Sequence, residues 1–289
     1  MKILVIGSGF IAKPIIDRLE AEGHELLIFS RTRKQDIRVN QVTGDIFLFD
    51  DFAKTLLWKP QVIIHTAWVT SHSQYTNDPS NYRYAQFTSD LARIIVGTDV
   101  AHLIILGSRA EYGSQVKPST AGVTKLNPSN LYAQAKVSSF MAAKDSLLES
   151  NIRLSWARIF QPYGPNQDQK RLLPYLVDSL RRGKQVSLTD ISTILDWVTT
   201  RDIASAISWI INNDTSTEVD IGTSIGYTNV DLLKHLEGLL GNSDQWAHFN
   251  QHDSKGNQVF IVGKDSPLYK SGWMPSDTLT AGLEWVLNS

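Results

Sequence analysis

Tyr132 and Lys136, which stand four residues apart, are the clearest candidates for chemistry in this sequence, and no other tyrosine has a lysine at that spacing. Residues four apart share one face of a helix. A neighbouring ammonium group favours the phenolate form and so lowers the tyrosine pKa from its ordinary value of about 10. The spacing therefore predicts a general acid–base pair that can exchange a proton near neutral pH.

Ser108 is the next candidate, because the apolar run Leu103–Leu106 leads through Gly107 into it. Open α/β sheets bind ligands in the crevice at the carboxyl ends of their strands. Residues that follow neighbouring apolar runs are therefore expected to meet in one site, where the Ser108 hydroxyl can hydrogen-bond a reacting oxygen. The other residues at such ends are Thr66 and Ala67 after Val62–His65, and Phe160 and Gln161 after Arg153–Arg158.

A glycine pattern of the form G-x-G-x-x-A begins at Gly7 and includes Gly9, Phe10 and Ile11. It stands directly after the apolar run Ile3–Ile6 and before an amphipathic segment. Glycines in this context allow a tight turn and a close approach to a pyrophosphate, which the following helix N-terminus attracts. The pattern predicts a dinucleotide site; the alternative is a glycine turn that binds nothing.

The end of the second apolar run, Glu25–Phe29, indicates which dinucleotide is bound. An NAD site usually presents an acidic residue here, which hydrogen-bonds the ribose 2′-hydroxyl. This chain has Ser30 and Arg31 instead, followed by Thr32 and Arg33. A guanidinium group can pair with a 2′-phosphate, so NADP(H) is expected; a solvated basic loop is the alternative.

The elements that must position these residues alternate between strand and helix patterns. Such alternation predicts an α/β fold with a Rossmann-type, doubly wound parallel sheet. We expect a dinucleotide-binding domain over residues 1–163, with 196–222 packing back on it, and a smaller substrate-binding region over 164–289. The expected helices include Tyr82–Val96, Ala133–Ser150 and Leu279–Leu287, and the later expected strands are Val186–Leu188 and Glu218–Ile221.

Composition excludes several classes of protein. The chain of 289 residues is 42% hydrophobic, has a net charge of −1 and contains no cysteine. A near-neutral charge argues against nucleic-acid binding, and the lack of cysteine excludes disulfides and thiolate sites. No apolar run approaches a membrane span, and the apolar start is too short for a signal peptide. We therefore expect a cytoplasmic protein. We expect no metal site, because the residues around His248 and His252 indicate an exposed loop.

Taken together, these motifs resemble the extended short-chain dehydrogenases/reductases, in the NAD-dependent epimerase/dehydratase group that acts on nucleotide sugars. The resemblance covers nearly the whole chain. The matching stretches are Gly9–Ala12, Gly44-Asp45-Ile46, His65-Thr66-Ala67, Ser108 with Tyr112-Gly113, Tyr132 with Lys136, Arg158–Pro165, Gly272–Pro275 and Gly282–Trp285.

The resemblance implies a role for several of these residues. Ser108, Tyr132 and Lys136 would be catalytic, and Lys136 would also hold the nicotinamide ribose. Asp45 and Ile46 would flank the adenine, while Thr66, Ala67 and Phe160 would lie along the cofactor. It also implies a homodimer that pairs through the helices Tyr82–Val96 and Ala133–Ser150. The apolar surface for this contact would come from Val137, Phe140, Met141 and Leu148.

Departures from the family pattern concern the substrate. Arg109 and Ala110 stand where dehydratases have an Asp-Glu pair, so dehydration is not expected. Leu195 replaces an arginine that usually grips the substrate diphosphate, and Arg171 or Lys170 would substitute for it. The further expected substrate contacts are Gln161, Arg109 and, in the loop after Trp68, His72.

These observations favour an NADP(H)-dependent reductase of a nucleotide-diphosphate keto-sugar, and specifically of a 4-keto-6-deoxy sugar. The alternatives are a nucleotide-sugar 4-epimerase of the same fold and a non-catalytic NADP-sensing regulator. The basic end of the second strand favours an enzyme that exchanges NADP(H) over an epimerase that recycles NAD. The retained Ser108, Tyr132 and Lys136 argue against the regulator.

Overall fold

A computed structural model describes residues 1–69, 75–188, 190–215, 217–241 and 258–289, together with the backbone of 247–249. Its strands are β1 (Lys2–Ile6), β2 (Glu25–Ser30), β3 (Asn40–Thr43), β4 (Val62–His65), β5 (His102–Ser108), β6 (Arg153–Ile159), β7 (Gln161–Tyr163), β8 (Val186–Leu188), β9 (Ile194–Leu195), β10 (Trp197–Thr199), β11 (Glu218–Ile221), β12 (Ala247–Phe249) and β13 (Val259–Phe260).

Helices flank the strands of the central sheet. The helices are α1 (Ala12–Ala21), α2 (Phe49–Leu56), α3 (Ser80–Ile94), α4 (Leu131–Ser146), α5 (Leu172–Arg181), α6 (Thr200–Asn212), α7 (Asn229–Leu240), α8 (Pro267–Lys270) and α9 (Leu279–Leu287), and Arg109–Tyr112 form a 3₁₀ turn.

The central sheet contains seven strands in the order β3-β2-β1-β4-β5-β6-β11. All its neighbouring strands are parallel. From β1 the chain adds β2 and then β3 on one side of the sheet. It then crosses to the other side of β1 and adds β4, β5, β6 and β11 there. A crevice opens at the carboxyl end of the sheet between β1 and β4, where the strand order reverses and open α/β sheets bind ligands.

Two apolar layers cover the sheet, which confirms the expected doubly wound α/β fold. One layer packs α1 and α6 against the sheet through residues such as Ile15, Ile16, Ile203 and Ile207. The other packs α2, α3 and α4 through Phe52, Phe87, Leu91, Phe140 and their neighbours. Burying each such side chain contributes roughly 1.5–3 kcal/mol, so these layers hold the strand ends rigidly.

Helix α4 differs from the expected Ala133–Ser150 at both ends. It begins at Leu131, because the Asn130 side chain accepts a hydrogen bond from the Ala133 N–H at 3.0 Å and caps the helix. It ends at Ser146, and the residues up to Ser150 form a turn closed by the Ser150 N–H on the Leu147 carbonyl. The cap places Tyr132 in the first turn of the helix.

The second half of the chain alternates between the central sheet and a smaller layer. Its own apolar core joins α5, α7 and α9, whereas β11 completes the central sheet beside β6. The buried carboxylate of Asp196 ties the parts together, since it accepts hydrogen bonds from the N–H groups of Thr223, Ser224 and Val262.

The division at residue 163 stays a prediction. Among the described residues, no helix is long and apolar enough to cross a membrane.

Candidate functional site

A cavity of about 920 Å³ lies over the carboxyl ends of the central strands. It gathers most of the residues that the sequence singles out. His72 lies outside the described residues, and Asp45 does not line the cavity. The expected site residues that do line it are Gly7, Gly9, Phe10, Ile11, Ser30, Arg31, Ile46, Thr66, Ala67, Ser108, Arg109, Tyr132, Lys136, Phe160, Gln161 and Arg171.

The glycine loop is shaped by a close contact with the end of β4. Gly7 has φ +107°, and a Cβ there would lie 2.4 Å from the Thr66 Oγ1 atom. Thr66 is itself fixed, because its hydroxyl donates to the Ile6 carbonyl at 2.8 Å. No side chain in the described part of the chain caps the first turn of α1, which borders the cavity. This helix N-terminus suits a pyrophosphate.

Replacing Gly7 with Ala is expected to lower the free energy of unfolding by about 1–3 kcal/mol, through backbone strain and the contact with Thr66. Gly9→Ala is the matched control, because a Cβ at Gly9 meets no atom within 4 Å. Its unfolding free energy should change by no more than about 1 kcal/mol, while dinucleotide affinity falls. Urea unfolding and fluorescence titration measure the two effects; equal destabilisation by both substitutions would contradict this account.

The end of β2 presents basic groups to the cavity. The Ser30 hydroxyl donates to the Thr32 carbonyl at 2.9 Å, which holds the turn. Arg31 and Lys34 line the cavity, whereas Arg33 does not. Lys34 was not expected as a site residue, since its direction after the turn is not evident from the sequence. The rim is therefore positively charged.

Asp45 shapes a turn beside the cavity. Its carboxylate accepts a hydrogen bond from the Phe47 N–H at 3.0 Å. The turn directs Ile46 and Phe47 to the cavity wall. A role of Asp45 beside an adenine stays a prediction, whereas Ile46 and Phe47 provide an apolar surface for a flat ring.

Ser108 and Tyr132 come together across the cavity floor. Ser108 ends β5 and Tyr132 lies in the first turn of α4, and both residues line the cavity. The Tyr132 N–H donates to the Thr76 carbonyl at 2.9 Å. The Tyr132 ring packs edge-on against Tyr75 and Trp68, with centroid distances of 5.1 and 6.3 Å. The phenolic oxygen and the serine hydroxyl can therefore contact one substrate oxygen.

Lys136 lies on the same helix face as Tyr132, as the spacing predicts. Its ammonium group is buried, donates to the Leu106 carbonyl at 2.6 Å and lies 3.6 Å from the Trp68 ring centroid. Trp68 is held in turn by a hydrogen bond from its Nε1 atom to the Asn81 Oδ1 atom at 2.7 Å. Cation–π contacts of this kind contribute up to about 2 kcal/mol when desolvated.

Burial dominates the protonation of both groups. It raises the pKa of Tyr132 above its ordinary value, and Tyr75 and Glu111 add to the rise, while Ser108 and the charge of Arg171 oppose it. It lowers the pKa of Lys136 to about 7, against the charge of Glu111. The spacing argument predicts a lowered tyrosine pKa and is wrong for this structure, because burial, with Tyr75 and Glu111, outweighs Ser108 and Arg171. Tyr132 is therefore protonated at neutral pH and suited to donate a proton.

Two arginines line the other end of the cavity. The Arg109 guanidinium donates to the Gln161 Oε1 atom at 3.2 Å and lies 4.2 Å from the Phe260 ring centroid. Burial lowers the pKa of Arg109 to about 10, so it remains charged at neutral pH. The Arg171 guanidinium lies 5.2 Å from the Tyr75 ring centroid. These groups suit an anionic ligand, whereas Leu195 adds an apolar wall.

Some residues of the site were not expected from the sequence. Tyr75 and Phe260 belong to segments without a clear pattern, yet they support Tyr132 and Arg109. Glu111 stands three residues after Ser108, which is the spacing of a capping box, and the structure contains that box. This spacing is the signal that could have identified Glu111.

Two proteins of known function match this chain in sequence. CDP-abequose synthase from Salmonella typhimurium is 26% identical over 137 residues, 45% of this chain and 46% of that protein, so the chain matches about half of that relative. UDP-glucose 4-epimerase from Lactobacillus helveticus is 24% identical over 99% of this chain and 97% of the relative.

The solved structures show the same fold over the whole chain. UDP-glucose 4-epimerase from Thermus thermophilus, determined in complex with NAD, superposes with a TM-score of 0.85 at 19% identity, covering 100% of this chain and 98% of that one. The model of the NAD dependent epimerase/dehydratase family matches residues 3–222, which contain the glycine loop and the Ser108, Tyr132 and Lys136 set. The chain therefore belongs to the NAD dependent epimerase/dehydratase family.

Proposed function

We propose that this protein is an NADP(H)-dependent reductase of a nucleotide-diphosphate keto-sugar, specifically of a 4-keto-6-deoxy sugar. The observation that carries the proposal is the convergence of Ser108, Tyr132 and Lys136 on one cavity. It places a protonated phenol beside the buried Lys136, in the cavity onto which the glycine loop opens. Two relatives, CDP-abequose synthase and UDP-glucose 4-epimerase, carry nucleotide-activated sugars in their names.

The chain's own residues would handle the proton of the reaction. A dinucleotide held by the glycine loop and the N-terminus of α1 would supply the hydride for the ketone carbon. Tyr132 donates its phenolic proton to the oxygen that becomes an alcohol, and Ser108 hydrogen-bonds the same oxygen. Lys136, when charged, stabilises the phenolate left on Tyr132. Because burial keeps Tyr132 protonated, the resting site is prepared for reduction of a ketone.

The residues present fit a dinucleotide with a 2′-phosphate. Gly7 and the uncapped N-terminus of α1 suit the pyrophosphate. Arg31 and Lys34 give the ribose end of the cavity a positive rim, and the stretch from Ser30 to Lys34 contains no acidic residue. The related Thermus thermophilus epimerase was solved with NAD, so a preference of this chain for NADP(H) rests on its own basic residues.

The substrate end of the cavity favours a diphosphate over a free sugar. Arg109 and Arg171 line it together with Gln161. One guanidinium group can donate two parallel hydrogen bonds to the oxygens of a phosphate. Arg109 and Ala110 occupy the two positions after Ser108 where the resembled dehydratases have an Asp-Glu pair. These residues support reduction or epimerisation of a nucleotide sugar and disfavour dehydration.

The rival function is a nucleotide-sugar 4-epimerase, which the full-length match to UDP-glucose 4-epimerase favours. The deciding experiment measures NADPH oxidation with a panel of nucleotide-activated keto-sugars and the corresponding free keto-sugars. We expect turnover of the activated sugars alone, since nucleotide binding energy should contribute to kcat/KM. Comparable kcat/KM values for free sugars would show that the nucleotide contributes no binding energy to the reaction, and would contradict a nucleotide-sugar substrate. Interconversion of UDP-sugar epimers without NADPH consumption would establish the epimerase.

We also propose a homodimer that pairs through α3 and α4. Tyr82 on α3 and Met141 on α4 are exposed apolar side chains, as is Leu148 just beyond α4. Phe140, which was expected to contribute, is buried and packs its ring against Trp156 at 5.2 Å, so it faces the core of its own chain. Light scattering at high micromolar concentration should give twice the chain mass; a monomer would count against the dimer.

A further inference from the structure

A buried carboxylate lies directly behind Ser108, and the mechanism above does not use it. Glu111 is fully buried and accepts hydrogen bonds from the Ser108 N–H at 2.7 Å and the Trp156 Nε1 atom at 2.9 Å. It also forms an ion pair with Arg158 at 2.7 Å. Arg158 is equally buried and pairs through its other side with Glu218 at 2.8 Å.

The contacts of Glu111 determine where Ser108 lies. The two residues form a reciprocal capping box, in which the Ser108 hydroxyl accepts from the Ala110 N–H at 3.2 Å. The chain before them is equally constrained, since a Cβ at Gly107 would lie 2.7 Å from the Glu111 Oε1 atom. Removing the carboxylate would therefore release the backbone that aims the serine hydroxyl.

The charge of Glu111 also acts on the Tyr132–Lys136 pair. It raises the pKa of Lys136, which burial lowers to about 7, and it raises the pKa of Tyr132. Arg171 acts on Tyr132 in the opposite sense. Burial lowers the pKa of His65 to about 3, so His65 stays neutral. The other titratable and charged groups around these residues are Tyr75, Arg109, Tyr112, Asp220, Arg158 and Glu218.

We propose that Glu111 is a positioning residue, which fixes the Ser108 backbone and supplies the negative charge that faces the Tyr132–Lys136 pair. The inference rests on the proposed reductase function and adds a residue that acts through Ser108 and Lys136. It does not touch the substrate, because it is buried behind the cavity floor.

The sign of the pH effect follows from the charge of Lys136. The ammonium is present below its pKa and is lost as pH rises through that value. Reduction and binding of the polyanionic dinucleotide both gain from the positive charge, so both fall on the alkaline side. Without the charge of Glu111 the pKa of Lys136 falls further, and the alkaline loss occurs at lower pH.

The test compares Glu111→Gln with Glu218→Gln. Both remove one carboxylate partner of Arg158, but of the two only Glu111 contacts Ser108 among the described residues. In Glu111→Gln we expect the alkaline midpoints of kcat and of NADPH affinity to move down by roughly one pH unit, with kcat reduced more than KM is raised. Glu218→Gln should leave both midpoints unchanged. Equal shifts in the two variants, or none in Glu111→Gln, would overturn the proposal.

Two measurements keep the proposal testable if a variant folds poorly or the reaction is another one. Glu111→Asp retains the charge with a shorter side chain, so the midpoints should stay while kcat falls; a shifted midpoint would contradict the role of the charge. The NADPH affinity profile needs no sugar. A shifted affinity midpoint in Glu111→Gln, without turnover of any keto-sugar by the unmodified protein, would support the role of Glu111 and overturn the reductase.

Discussion

Replacing Tyr132 with Phe is expected to reduce turnover by about 10²–10⁴-fold, the usual contribution of general acid catalysis. The phenolic hydroxyl lines the cavity together with Ser108, and in the proposed reaction it protonates the substrate oxygen. The ring itself remains in Tyr132→Phe, so its packing against Tyr75 and Trp68 should persist. NADPH affinity should therefore change little, and the loss should appear in kcat.

Tyr163→Phe is the matched control for this experiment. Tyr163 is another buried tyrosine, and its hydroxyl makes a long hydrogen bond of 3.4 Å to the Leu279 carbonyl, away from the cavity lining. Turnover should stay close to that of the unmodified protein, since no proton of the reaction passes through this group. If Tyr132→Phe retained more than about half of the activity, Tyr132 would have no part as the general acid, given the size of that contribution.

Much of the fold could be predicted because the buried strands are apolar runs. The strand Val62–His65 has the predicted bounds, and its residues are buried. Strand β3, Asn40–Thr43, was missed because it lies at the sheet edge and is half exposed, so its sequence Asn-Gln-Val-Thr contains no apolar run. Edge strands of this kind are determined by pairing with a neighbour, in this case β2.

The candidate site was predictable where local geometry defines it. The glycine loop, the strand ends and the helical spacing of Tyr132 and Lys136 all follow from short patterns. The pKa of Tyr132 did not follow, because it depends on burial by residues far along the chain. The same is true of the ion pair of Glu111 with Arg158, which joins residues 47 positions apart. Contacts of this range depend on the packing of the whole sheet.

Replacing Arg31 with Ala is expected to narrow the preference for NADPH over NADH by about 10- to 150-fold, since a charge-assisted hydrogen bond contributes roughly 1.5–3 kcal/mol. Arg31 is exposed at the cavity rim and lies beside Ser30, where an NAD-specific site would present an acid. The substitution should weaken NADPH binding and leave NADH binding nearly unchanged, because the two dinucleotides differ only in the 2′-phosphate.

Arg33→Ala separates a specific contact from the general effect of removing a positive charge. Arg33 stands two residues further along the same loop but does not line the cavity. Loss of its charge should lower the affinity for both dinucleotides slightly and leave their ratio unchanged, and added salt should reduce that small effect. Fluorescence titration of both variants with NADPH and NADH measures the ratios. Equal affinity of the unmodified protein for the two dinucleotides would refute the role of Arg31, because the selective charge would then contribute nothing to binding.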